Sequence, residues 1–448
     1  MSDERPAVDV AHPPAAATGP AGTAAVDRYT ARMRPWRIVY AALITVAAVV
    51  LVVIVKIAYS HGEISHATLR TVAVPPPSVA LHVPPTGATL AQAWSSTDAT
   101  AIGTPYFGGT VVTHDHQTVR GRNALTGTVT WSYSRSDRTV CQAIQDQGVT
   151  IAVYELHGNC DELTALDSAT GARKWTRTLD KDGAEFNGPA RYAVVPNTVM
   201  FVSAGAIYAL DPSGDSANGN GGLDRWVFAD KACRINGAVL GSTGALISQT
   251  CTNRDCSDQK FCGNGRQLLL RDGVTGEDNN SSTNHRNPDQ IKWNLLDSTL
   301  LPASADQVVA ALEPGGARLA VLNSKTGKAQ NRLALAQHST TVSGVATAAD
   351  AELLRVGTTT YAIESNAARF TWQAQTAALP TVTGSGGATP NLDVASLAVP
   401  TRNGVALLDT STGKARTNFT VRIPAATGQA FPVGRGFLIA GSTTAFVR

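Results

Sequence analysis

Aromatic residues make up only 6% of this 448-residue chain and charged residues only 16%. Glycine, at 40 residues, is abundant. A chain of this kind suits many short strands joined by tight turns, because glycine supplies the positive φ angles such turns need. Neither sign of charge gathers into a block: 37 basic and 34 acidic residues are spread along the chain and leave a net charge of +3. That argues against a nucleic-acid patch and against an acidic metal buffer. No Gly-x-Ser-x-Gly elbow is present and no Ser/His/Asp grouping stands out, so nothing points to acyl transfer. The length is too great for one compact sandwich and suits a large repeat fold with appendages.

One long apolar run breaks the pattern. From Ile38 to Val55 there are 18 consecutive residues without a charge, close to the roughly 20 needed to cross a bilayer core. Trp36, Tyr40 and Tyr59 sit where interfacial aromatics belong. Arg28, Arg32, Arg34 and Arg37 precede the run, while only Lys56 follows it closely. The positive-inside rule then puts the N-terminus in the cytoplasm and everything after Tyr59 outside the plasma membrane. The expected organisation is a disordered cytoplasmic tail over 1–35, a transmembrane helix over 36–59, a Pro-rich stalk over 60–87 and an extracytoplasmic domain over 88–448. The stalk carries Pro75-Pro76-Pro77 and Pro84-Pro85. A cleaved signal peptide is the competing reading; the run is longer than a usual signal core, and the following KIAYSHGEI offers only a weak cleavage site.

All six cysteines follow the run: Cys141, Cys160, Cys233, Cys251, Cys256 and Cys262. An even number outside the cytoplasm reads as disulfides. Chain proximity favours Cys141 with Cys160, Cys233 with Cys251 and Cys256 with Cys262, among the 15 connectivities six cysteines allow. A zinc site on Cys251, Cys256 and Cys262 is the alternative, although the group lacks a C-x-x-C pair and contains no histidine.

A unit recurs through the outer part. A strand of alternating apolar residues runs into Ala-Leu-Asp or a relative, then a turn ending in Thr-Gly, then a strand that often carries tryptophan. Examples are NALTGTVTW (Asn123 to Trp131), ALDSATGARKW (Ala165 to Trp175), YALDPSG (Tyr208 to Gly214) and LLDTSTGKA (Leu407 to Ala415). The turn positions Gly127, Gly171, Gly214, Gly276, Gly327, Asn366 and Gly413 lie 39 to 62 residues apart. Such a period, with several short strands per unit, marks a β-propeller. The acidic or amide side chain can bond its own backbone two residues on, glycine closes the hairpin, and tryptophan fills the wedge between blades. The segment Ala88 to Ser96 reads as an outer strand without partners, and Gly434 to Val447 as a unit lacking its outer strand. Joined, they complete an eighth blade; seven blades is the alternative.

The ALDxxTGxxxW repeat resembles that of the pyrroloquinoline-quinone-type propellers, which include quinoprotein alcohol dehydrogenases and the lipoprotein of the outer-membrane β-barrel assembly machinery. The resemblance covers nearly all of Ala88 to Arg448 and implies the fold more than the function. One amino-terminal anchor, a Pro-rich stalk and a cysteine-stapled propeller also look like polar growth factor A, an envelope protein family of mycolate-making actinobacteria. That resemblance implies work beside the inner-membrane transporter of trehalose monomycolate, in building the mycolate layer and in polar growth.

A quinone-dependent enzyme would need a cofactor, Ca²⁺ and a funnel aspartate. The family's adjacent cysteine pair is missing, so no catalytic, cofactor-binding or metal residue is assigned and no cofactor is expected. His114-Asp115-His116 is the one His/Asp cluster; on a strand the two histidines would share a face and could hold a metal, against the plainer reading of a polar strand end. Asn279 and Asn280 head incidental sequons. The stretch Asn253 to Gln290 departs furthest from the repeat and reads as a stapled surface excursion or a partner-contact element. Asp167, Lys174, Lys325, Asp409 and Lys414 read as structural or solvated turn residues. The expected function is therefore a non-catalytic, membrane-anchored propeller that binds an envelope partner protein or lipid, with no nucleic acid. A quinone- or metal-dependent enzyme and an extracytoplasmic sensor are the alternatives, and no ligand-binding residue can be named.

Overall fold

The strand over Val129–Arg135 buries Trp131, Tyr133 and Arg135 and leaves the residues between them half-exposed. This is the period-two pattern of a strand with one covered face, and it recurs along the computed structural model. The structure describes residues 39–52, 63–79, 85 and 87–448, apart from 182–183, 187–189, 215–221, 231–232, 241–243, 252–264, 273–298, 306–307, 313–316, 324–328, 336–341, 349–350, 365–368, 383–395 and 422–427. The chain divides into two units, Met1–His66 and Ala67–Arg448.

In the first unit residues 39–52 are helical and exposed along their whole length, Leu43, Ile44, Leu51 and Val52 among them. The span expected over 36–59 is thus seen as helix over 39–52, and its two ends lie outside the described residues. No described helix is long and apolar enough to cross a membrane. A second helical turn, Glu63–His66, ends the unit. The tail expected over 1–35 lies outside the described residues.

The second unit is all β. Among the described residues its strands form eight sheets of three to six strands and one two-stranded ribbon, Asp180–Lys181 with Ala184–Glu185. Sheet 1 is built on Thr110–His114, Thr118–Asn123 and Val129–Arg135. Sheet 2 is Val140–Asp146, Val149–Leu156, Asn159–Asp167 and Arg173–Thr178. Sheet 3 runs from Arg191–Val195 to Leu223–Phe228, and sheet 4 holds Cys233–Leu240, Gly244–Cys251 and Gly265–Asp272. Sheets 5, 6 and 7 run from Thr299–Ala305 to Ala329–Ala334, from Val342–Ala348 to Arg369–Gln375, and from Thr381–Val382 to Ala415–Thr420. Sheet 8 is Gln429–Val433, Gly436–Ala440 and Thr444–Val447.

Antiparallel neighbours in chain order make the body of each sheet a meander, and in sheet 2 the two-residue strand Ile102–Gly103 adds in parallel beside Val140–Asp146. Each sheet packs on the next in chain order, from sheet 1 to sheet 8. The core lies between sheets: one cluster joins Ile144, Val153 and Trp175 of sheet 2 to Val199, Phe201 and Tyr208 of sheet 3. One sheet cannot cover both of its faces alone, so stacking neighbours supplies the core. The architecture is a β-propeller.

The chain ends close it. Gln92–Ser96 pairs with Thr444–Val447 and becomes the outer strand of sheet 8. Just before it, Leu90 N donates to Thr420 O at 2.8 Å, and Ala91 exchanges two backbone bonds with Arg448. Sheet 8 then meets sheet 1 through Thr100 Oγ1 and Thr444 Oγ1, 2.7 Å apart and buried.

The folded unit starts earlier than the sequence suggests. Ala67–Arg70 pairs with Val129–Arg135 as an added outermost strand of sheet 1, where the sequence predicts a free stalk. Val72 N donates to Thr170 O, Pro76 is buried, and Val79 bonds through both its N–H and its carbonyl to the Tyr106 hydroxyl. Proline rigidity does not keep this segment off the domain. The prolines fix an extended backbone, and that backbone lies flat on Gly109, which has no Cβ to hold it away.

Candidate interaction rim

The repeat residues assemble one device. In the turn after Asn159–Asp167, Asp167 Oδ1 accepts from Ala169 N, Thr170 N and the Thr170 hydroxyl. Asn123 and Asp409 cap their turns in the same way. The tryptophan of the preceding sheet then docks on the turn. Trp131 Nε1 donates to Ser168 O at 2.9 Å, Trp175 to Pro212 O at 3.1 Å and Trp372 to Thr410 O at 2.7 Å. Trp94, on the closing strand, donates to Ala124 O at 2.8 Å, so the closure of the ring uses the same lock. Gly127, Gly171 and Gly413 all take positive φ and lie under the facing indole, where a Cβ would fall 2.7 Å or less from the ring or its Cβ. In the third repeat that place belongs to Gly222, against Trp175, and not to Gly214 as the turn spacing suggests. Gly276, Gly327 and Asn366 lie outside the described residues.

These locks use up the polar residues of the motif. Asp409 Oδ1 caps the turn while Oδ2 takes Arg416, and Asp211 Oδ2 takes Arg225 at 2.9 Å. The bonds from Ser411, and then from Arg416, hold the Asp409 carboxyl well below the usual carboxylate range. Lys174 and Lys414 are exposed, and Lys325 lies outside the described residues.

Register divides the ring into two rims. In a four-stranded meander the turn between the third and fourth strands lies on one rim, and the hairpin between the second and third lies on the other. The tryptophan locks sit at turns of the first kind. Both disulfides sit on the opposite rim. Cys141, near the start of the first strand of sheet 2, is bonded to Cys160, at the start of the third. Cys233, first residue of sheet 4, is bonded to Cys251, directly opposite it at the end of the second strand. Cys256 and Cys262 lie outside the described residues, as do Asn279, Asn280 and most of Asn253 to Gln290. A metal is badly served here. Asp230 approaches Cys233 and Cys251 closely, but both sulfurs are spent in a disulfide and offer no thiolate.

The same rim carries two ion networks that the sequence reading missed. Arg135, 1% exposed at its side chain, pairs with Glu162 and with Asp137 at 2.9 Å, while Arg138 bonds Glu162 at 3.1 Å. Burial disfavours the Arg135 charge, yet Asp137 and Glu162 outweigh it and raise its pKa. Asp98 joins Arg120 at 3.0 Å and Arg122 at 2.7 Å. Burial pushes Asp98 up, but the two guanidinium groups more than reverse this and hold it below the usual range. The charged run RSDR at 135–138 is the signal that could have found the first network. Nothing in the sequence marks Asp98, which is brought to the arginines by ring closure.

The histidine pair does not form a site. The strand ends at His114, which is buried, and Asp115 turns the chain by accepting from Gln117 N and Thr118 N, both at 2.8 Å. His116 is therefore on an exposed bend and not two residues along the same strand face. Around it on this rim Gln117, Glu155 and His157 are also exposed.

Residues 77–220 match the family model described as outer membrane protein assembly factor BamB. That span runs from the docked proline segment through sheets 1 and 2 into sheet 3. No curated protein sequence matches the chain. Among solved structures the chain is similar to BamB from Moraxella catarrhalis, at 17% identity over 80% of this chain and 100% of that one, with a TM-score of 0.44. It is similar to the quinohemoprotein alcohol dehydrogenase ADHIIG of Pseudomonas putida HK5, at 14% identity over 84% of this chain and 78% of that one, TM-score 0.43. It is similar also to Saccharomyces cerevisiae Sqt1, at 11% identity over 80% of this chain and 98% of that one, TM-score 0.45.

Proposed function

We propose that this chain is a non-catalytic propeller that binds protein partners during assembly of the cell envelope, held at the plasma membrane by its N-terminal apolar segment. The observation that carries the reading is the match of residues 77–220 to the BamB family model, whose name describes an assembly factor. Two features support it. The polar residues of the repeat, Asp167 and Asp409 among them, are committed to capping the turns on which the tryptophans dock, a structural use of the motif. The helical residues 39–52 are apolar and exposed on every side, the character of a helix made for a nonaqueous neighbour. A tether of that kind raises the effective concentration of the propeller beside membrane machinery.

We infer further that the eight sheets are eight blades, and that the partner surface is the rim stapled by Cys141–Cys160 and Cys233–Cys251. Functional residues gather on loops held by a rigid scaffold, and this rim has exposed polar residues above buried ion pairs. The finer reading names the machinery as trehalose monomycolate transport and polar growth, with the inner-membrane transporter as partner and the glycolipid as ligand. The test is in-cell photo-crosslinking with a reactive side chain placed at His116, at His157 and, as a control on the opposite rim, at Ser411. Envelope-assembly proteins joined at the first two positions and not at the third support the reading. Equal labelling at all three positions overturns the choice of rim.

A further inference from the structure

The ring closes where the C-terminal strands of sheet 8 meet the segment 90–100, which supplies the outer strand of sheet 8 and runs on directly into sheet 1. On the C-terminal side stand Thr444 and Gly441, and on the N-terminal side Asp98, Ala99 and Thr100. Thr100 N donates to Gly441 O at 2.9 Å, Gly441 N donates to Thr100 Oγ1 at 3.2 Å, and Thr444 Oγ1 donates to Asp98 O at 3.0 Å. The strand Ala99–Thr100 that carries these bonds is only two residues long. It pairs with the end of Thr110–His114, where Ala99 is opposite His114 and Thr100 opposite Thr113.

His114 is the one residue of that support whose charge can change near neutral pH. It is 9% exposed, and its Nε2 is buried with no hydrogen-bond partner. A neutral imidazole tolerates such a place; an imidazolium needs an acceptor there or water. The charged groups near it are Asp98 on the seam turn, Asp115 and His116 on the following bend, and Arg120 and Arg122 on the next strand. Both carboxylates are already engaged: Asp98 bonds Arg120, Arg122 and Thr113, and Asp115 bonds Arg120 and two backbone amides. Burial outweighs the attraction of Asp115 and Asp98 and holds the His114 pKa below its ordinary value.

We propose that His114 is a proton-sensitive latch, whose protonation loosens the seam between the C-terminal strands of sheet 8 and the segment 90–100 and leaves the contacts between the other blades closed. The linkage has a definite sign. A seam that opens lets His114 regain an ordinary affinity for protons, so the open form binds more protons than the closed form below about pH 6.5. Closure is at full strength above that pH and weakens as the pH falls, by up to about tenfold per unit for one proton. The acid-opened state would expose the edge of Thr444–Val447 and free the segment before it for other contacts.

Hydrogen exchange of the full chain at pH 7.5 and 5.5, corrected for intrinsic exchange rates, tests this. The amides to follow are Ala91, Thr100, Gly441 and Arg448 at the seam, with Tyr361 and Ala362 in sheet 6 as internal reference. The expected result is a loss of protection of about tenfold at the seam at pH 5.5, with the reference amides unchanged. His114→Gln and His114→Phe, which cannot titrate, should keep the same seam protection at both pH values. Equal seam protection of the natural chain at both pH values would overturn the proposal. So would a loss that spreads to sheet 6, or one that persists in both variants. The first of these outcomes needs no variant to fold.

Discussion

Gly171 illustrates how tightly the repeat is built at the scale of single residues. It combines a φ of +76° with an indole directly above: an added Cβ would lie 2.7 Å from Trp131 Cβ and Cγ. Gly158 has a similar φ of +85° and nothing within 4 Å. The pair separates backbone strain from lost packing. Gly158→Ala should destabilise by about 1 kcal/mol, from strain alone, and Gly171→Ala by about 2–4 kcal/mol, because the Trp131 lock must move as well. Equilibrium denaturation of the two variants measures the difference, and equal losses would contradict the lock. Asp146 offers a second residue-scale prediction. Burial pushes its carboxyl up to about 6, against the bond from Asn197 N. Folding therefore favours its proton: the contribution is full below about pH 4, is lost as the pH rises through 6 and remains lost at 7. Asp146→Asn keeps an acceptor for Asn197 and removes the titration. Relative to the natural chain the variant should gain stability between pH 4 and 7, on the order of 1–2 kcal/mol after solvent screening. Parallel denaturation midpoints across that range provide the check.

At the scale of elements, the meander of each blade was legible because strand alternation and turn chemistry are local. Asp167, Thr170, Gly171 and Trp175 are within eleven residues of one another, and each does what its type does in any hairpin. The closing strand Gln92–Ser96 was legible for a related reason: Trp94 is a lock residue without a turn of its own. The docked segment 67–79 was not. Its proline content signals extension, and extension is common to a free linker and to a chain laid along a sheet edge. What decides between them is Tyr106, whose hydroxyl serves Val79 and Gly109, and which is 27 residues beyond the segment it holds. For the two histidines the plainer reading, a polar strand end, is the one the structure shows, and the shared face that a metal would need is absent because Asp115 ends the strand. Shortening the chain to begin at residue 80 rather than at 67 should lower the melting temperature by at least about 3 °C, since a short ladder, the bonds to Tyr106 and a buried proline are all lost. Calorimetry on the two chains measures it, and identical melting would return the segment to the status of a free stalk.

For the whole molecule, the order of blades follows the order of the chain and the two ends meet, so one seam serves as both the start and the finish of the fold. Of the two ion networks only the local run at 135–138 left a mark in the sequence; Arg135 meets Glu162 across sheets 1 and 2, and Asp98 reaches Arg120 from just after the closing strand. The rim proposed for partners is likewise a product of the ring. Local motifs describe a blade; only the assembled circle gives the two disulfides a common side. The function proposed here belongs to this scale, because a scaffold acts through its surface and its tether and not through a cluster of reactive groups. Native mass spectrometry of the full chain, extracted gently from its own membrane, tests that claim most directly. The account predicts a mass that includes an envelope-assembly protein at a fixed ratio, with no metal or quinone. A bare chain carrying a stoichiometric metal or quinone would contradict it.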